Sequence, residues 1–145
     1  MPYDLDRFVV AQDKVWPAVV AELDAGAKRT HWMWFVFPQL AGLGTSATAV
    51  HYAIASLDEA RAFATHPLLG ARLVATTRRT LAHAGAAADA IFGTIDALKF
   101  RSSMTLFACA APQEPAFREA LAAFWRGEPD AKTLALLGLA GIPRP

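Results

Sequence analysis

The stretch Ile95-Asp-Ala-Leu-Lys-Phe-Arg-Ser-Ser-Met-Thr-Leu-Phe-Ala-Cys109 decides the fold class. Placed at about 100° per residue, Ile95, Leu98, Ser102, Leu106 and Cys109 fall on one face. Phe100, Met104 and Phe107 fall on a second face, roughly 120–180° away. Between these apolar groups runs a narrow polar stripe of Asp96, Lys99 and Ser103. Ala97, Arg101, Thr105 and Ala108 occupy the remaining arc and are the expected solvent side.

Outward from this helix the same period recurs, and the period-2 alternation of strands is nearly absent. Phe8, Val9, Val15, Trp16, Val19, Val20 and Leu23 predict a first helix from Asp4 to about Asp24, kinked or divided by Pro17 and stopped by Gly26. A short helix is expected over Thr30–Phe37, capped by Thr30, and then a loop from Gln39 to Ser46. Ser46 caps the next segment, through Ile54. Ser56 and Glu59 have capping-box spacing and start a helix to about Thr65. Pro67 opens another, to about His83. Ile91-Phe92-Gly93 closes a short turn or helix, Thr94 caps the helix quoted first, Phe117 to Trp125 form one more, and Asp130 caps the last. The expectation is an all-α fold, one domain over residues 1–145 with six to eight helices and no substantial β-sheet.

The 145-residue chain is 54% hydrophobic and 19% charged, with a formal net charge of +1 and a mean hydropathy of +0.27. Disorder needs the opposite balance. A membrane-spanning helix needs about 18–20 consecutive apolar residues, and the densest run, Trp32 to Pro38, is far shorter. The N-terminal residues lack a basic-then-apolar signal pattern, so a soluble cytoplasmic protein is expected. No basic footprint for nucleic acid stands out. The single cysteine, Cys109, on an apolar face, reads as a structural thiol. The four histidines lack metal-ligand spacing, so neither a metal site nor a cofactor is expected. A monomer or weak homodimer is the expected assembly.

Three constellations carry candidate chemistry. In the stripe, Asp96 and Lys99 either form a plain i, i+3 surface pair or floor a pocket with Ser103, since polar groups between apolar ones are costly unless partnered. In Lys28-Arg-Thr-His31-Trp32-Met-Trp34-Phe-Val-Phe-Pro38-Gln39, indoles offer flat apolar area and histidine titrates near neutrality; the same run also reads as core. The loop Gly42-Leu-Gly44-Thr-Ser46 is a turn with a cap rather than a phosphate loop, since it lacks the lysine and preceding strand of one. Arg72 is a candidate anion clamp or a bridging arginine.

His31-Trp-Met-Trp-Phe-Val-Phe-Pro-Gln-Leu-Ala-Gly-Leu-Gly-Thr-Ser46 resembles the hallmark segment of the bacterial domain-of-unknown-function family numbered 1810. The resemblance continues through Leu5-Asp-Arg-Phe8, Ser56-Leu-Asp-Glu-Ala60, His66-Pro-Leu-Leu-Gly-Ala-Arg-Leu73, Asp96, Lys99 and Ser102-Ser-Met-Thr-Leu-Phe107, nearly the whole chain. It implies an all-α single domain and supplies no reaction. It also implies retention of Lys28, His31, Trp32, Trp34, Gln39, Tyr52, Glu59, Arg72, Asp96, Lys99, Ser102 and Ser103.

The expectation is a pocket for a small planar or anionic, nucleotide-like ligand. Lys28, Trp32, Trp34, Gln39, Arg72, Ser102 and Ser103 would bind it, and His31, Asp96 and Lys99 would serve any acid–base chemistry. Whether the protein is an enzyme stays open. The alternative is a helical interaction module whose aromatic run is core or partner surface.

Overall fold

The computed structural model describes residues 3–145. Nine helices are found among them: α1 (Asp6–Asp24), α2 (Met33–Val36), α3 (Ala47–His51), α4 (Leu57–Thr65), α5 (Pro67–Leu81), α6 (Ala88–Phe92), α7 (Thr94–Ala110), α8 (Pro115–Trp125) and α9 (Ala131–Leu137). Among the described residues there is no strand, only one parallel bridge between Leu40 and Ile54. The all-α class therefore holds, with nine helices instead of six to eight. The ninth is α6, left open in the sequence as a turn or a helix; α2 and α3 are expected segments that shrink to about one turn each.

Local chemistry explains the starts of α3, α4, α5 and α9. Ser46 accepts from the Ala49 N–H and starts α3. Ser56 accepts from the Glu59 N–H. The Glu59 carboxylate reaches back to the Ala55 N–H at 2.7 Å, one residue before the usual capping-box partner. Pro67 stands at the start of α5, and the His66 imidazole accepts from the Leu68 and Leu69 N–H groups. Asp130 caps α9 by accepting from the Thr133 N–H. Pro17, expected to kink or divide α1, lies inside one undivided helix. It is exposed, as is Asp13 one turn earlier, so water can replace the donor that the Asp13 carbonyl loses to the proline.

α7 runs through the middle and packs on α2, α4, α6, α8 and α9, while α5 packs on α1, α4 and α8. The joint between α4 and α5 is tight: a Cβ at Gly70 would lie 2.1 Å from the Ala64 carbonyl oxygen. Rings fill the space around α7. Phe100 meets Phe37 at 4.9 Å between centroids and Phe107 meets Phe63 at 5.3 Å.

The expected solvent arc of α7 is overturned. Ala97, Thr105 and Ala108 are buried and Arg101 is half-buried. The turn before α9 covers this side: Thr105 Oγ1 accepts from the Asp130 N–H at 2.8 Å, and Arg101 Nε donates to the Glu128 carbonyl at 3.1 Å. Every residue from Ser102 to Ala110 is buried. The surface that stays open is the first half of the apolar stripe, where Ile95 is 73% and Leu98 57% exposed. No helix of the described residues is long and apolar enough to cross a membrane.

Candidate functional site

The site begins with Glu22, a buried carboxylate near the end of α1 that sequence reasoning passed over. It accepts from the Arg29 N–H at 2.6 Å, the Thr30 N–H at 2.9 Å, the Thr30 hydroxyl at 2.6 Å and Trp32 Nε1 at 3.0 Å. Burial pushes its carboxyl pKa up, but the hydrogen bonds from Thr30, Arg29 and Trp32 outweigh this and hold it at about 2. Thr30 is therefore not the cap of α2. That helix starts after Trp32 with no side-chain cap, because the Thr30 hydroxyl is committed to Glu22. Trp32, expected to stack on a ligand, is fully buried and spends its indole N–H on the same carboxylate.

Pinned in this way, the 28–32 segment sends Lys28 inward. Its N–H donates to the Ile91 carbonyl at 2.8 Å. Its ammonium, with only 6% of the side chain exposed, sits 2.8 Å from Asp96 Oδ2. Asp96 lies in the first turn of α7, where the helix dipole favours a carboxylate. Gly93, at φ +82°, makes the bend that opens this helix. One turn on, Lys99 Nζ lies 3.3 Å from Asp96 Oδ1 and 4.8 Å from the centroid of the Trp34 ring. One carboxylate is thus held between two ammonium groups, and the second of them caps a half-buried indole.

Two clefts of about 440 Å³ each meet here. The first is lined by Lys28, His31, Trp34, Asp96 and Lys99, so the expected gathering of His31 with Asp96 occurs. The second is lined by Trp34, Gln39, Leu98, Lys99, Ser102 and Lys132, among others. Trp34, Ile95 and Lys99 belong to both. A shallower groove of about 480 Å³ passes His31, Trp34, His51 and Tyr52. The indole of Trp34 is the meeting point of all three.

Seven of the ten expected site residues therefore gather around Trp34, and three do not. Trp32 is core. Arg72 bridges α5 to α1, 2.8 Å from Asp13 Oδ1 and 4.6 Å over the Trp16 ring, so it is no anion clamp in this site. Ser103 is fully buried, lines neither cleft, and among the described residues its Oγ has no hydrogen-bond partner. Ser102 instead reaches the second cleft, with its Oγ 3.3 Å from Asp130 Oδ2. Asp130 and Lys132 of that cleft were missed, because a capping aspartate and an exposed lysine look ordinary in sequence. Glu22 was missed because its partners lie seven to ten residues away, outside any local motif. Cys109 is a buried thiol whose pKa burial pushes up to about 11, against the lowering pull of Arg118.

A model of the family described as "Protein of unknown function (DUF1810)" matches residues 2–137. The chain is also similar to a conserved hypothetical protein of Mycobacterium tuberculosis solved by crystallography, at 51% identity and a TM-score of 0.93. The match covers 97% of this chain and 100% of that one. No curated protein matches the sequence.

Proposed function

The chain belongs to the DUF1810 family, whose function is unknown, and we propose that it binds a small planar organic anion where the two clefts meet at Trp34. The observation that carries this reading is the Lys99 ammonium held over the Trp34 ring while tethered to Asp96. Two lysines share one carboxylate, which leaves an excess positive charge beside a flat, half-buried indole. Clefts of this size fall within the range of small-molecule sites. Anions with a flat ring, such as mononucleotides or aryl phosphates, combine the two features that this arrangement complements.

In this reading Lys99 meets the anionic group, Trp34 stacks on the ring, and Gln39 and Ser102 offer hydrogen bonds from the second cleft. Lys28 and Asp96 hold the cation in place. Both oxygens of Asp96 are engaged by lysines, which makes it a positioning group. The exposed His31, at the rim of the first cleft, is the group best placed for proton transfer to a bound molecule.

Calorimetric titration with phenyl phosphate, adenosine 5′-monophosphate and inorganic phosphate tests the proposal. The two ring-bearing anions should bind more tightly than phosphate alone. Lys99→Met should weaken them about 10- to 100-fold, as expected for a charge-assisted hydrogen bond, and Trp34→Ala should erase their advantage over phosphate. Affinities unchanged in both variants would place any binding elsewhere and sink the proposal.

A further inference from the structure

We propose that the second cleft receives an apolar arm of the same ligand, so that the natural ligand is an aryl anion with an extended hydrophobic substituent. This rests on the reading just given and deepens it. The stripe Ile95, Leu98, Ser102, Leu106 and Cys109 is one continuous face of α7. Its last three members are covered, at 5%, 0% and 1% exposure, whereas Ile95 and Leu98 stand at 73% and 57%. Large hydrophobic side chains this open usually sit singly on a surface. These two lie three residues apart on one helix and both line a concave cleft, to which Leu43 and Ala49 contribute further apolar lining from another part of the chain.

The polar groups of the cleft identify its occupant. Asp130 Oδ2 accepts from the Thr133 N–H at 3.0 Å, from the Thr133 hydroxyl at 2.5 Å and from the Ser102 hydroxyl at 3.3 Å. Lys99 and Lys132 are the cations of the lining. With Asp130 as the one carboxylate of that lining, the two lysines leave one positive charge in excess, which a neutral lipid or a cationic peptide would not meet. An anion seated at Lys99 with a hydrophobic arm along Ile95 and Leu98 satisfies both. Because Trp34, Ile95 and Lys99 line both clefts, one molecule can present its ring and charge to the first and its arm to the second.

The test compares phenyl phosphate with 4-butylphenyl phosphate by titration calorimetry. Each methylene removed from water favours binding, so the butyl compound should bind the wild-type protein at least about tenfold more tightly. Leu98→Ser, at a position that lines the second cleft alone, should lose most of that gain while keeping its affinity for phenyl phosphate. Val10→Ser, an exposed position on α1, should keep the gain. Phenyl phosphate binding with no gain from the butyl group overturns this inference and leaves the anion site standing. Absence of binding by both compounds overturns both readings. Sedimentation of the same proteins supplies the remaining outcome: self-association of the wild type that Leu98→Ser abolishes would give the face to a second copy of the chain and overturn the proposal.

Discussion

The two halves of α7 carry one apolar stripe and meet opposite fates. From Ser102 to Ala110 the helix is buried on all sides, and Thr105, on the arc expected to face water, is sealed by the turn before α9. From Thr94 to Arg101 the same stripe opens into two clefts, and the polar groups beside it hold two lysines around Asp96. An amphipathic pattern specifies that a face is apolar. It does not specify whether protein or something else covers that face.

Substitutions that separate stability from surface sharpen this contrast most. Phe107→Ala, in the closed half, should cost about 3–5 kcal/mol in guanidinium unfolding, while Leu98→Ala, in the open half, should stay within about 0.5 kcal/mol. Similar costs at both positions would mean that the open half is covered in solution.

The wall facing the open half should be the next most sensitive. Glu22→Ala leaves three N–H donors and the Thr30 hydroxyl without their acceptor and should cost about 2–4 kcal/mol. The Glu22 carboxyl lies at about 2 in the fold against an ordinary 4.5. Its contribution is therefore present above about pH 4.5 and is lost as pH falls toward 2, on the order of 2 kcal/mol after allowing for solvent screening. Acid unfolding followed by circular dichroism should lose that part of its slope in Glu22→Gln. An unchanged slope would remove Glu22 as the pin of the wall.

Asp96→Ala strands the Lys28 ammonium and should cost about 2–3 kcal/mol, less than a fully buried pair. A double-mutant cycle with Lys28→Met should recover most of it, and strict additivity would show that the two do not interact. The smallest effect belongs to the closed half. Ser103→Ala removes a buried hydroxyl that has no partner among the described residues and raises helix propensity, so it should stabilise by about 1 kcal/mol. At this chain length that is about 2–4 °C in the thermal midpoint. A lower midpoint would reveal a hidden partner for the hydroxyl.

Much of the architecture was legible in sequence because helix boundaries are written locally. Ser46, Ser56, Pro67 and Asp130 each mark a start with chemistry completed within three residues. The site was legible in part. Asp96 and Lys99 were visible as an anomaly on a helical wheel, and Lys28, His31 and Trp34 as members of one run. Trp32 and Trp34 could not be told apart, since both are indoles in the same aromatic segment. What separates them is Glu22, which takes the N–H of one and leaves the other at the cleft. Arg72 stayed open between clamp and bridge for a similar reason: the partners that make it a bridge, Asp13 and Trp16, lie nearly sixty residues earlier in the chain.

The sequence alone determined that this chain is helical and where most of its helices begin, because period and capping act over one turn. It also determined that an acid and a lysine would stand between apolar faces of one helix. Only the tertiary structure decided which half of that helix stayed open, which of Trp32 and Trp34 reached the cleft and that Lys28 would close on Asp96 from another part of the chain. Those outcomes depend on contacts across tens of residues, where burial and hydrogen bonding choose among side chains that local pattern treats alike.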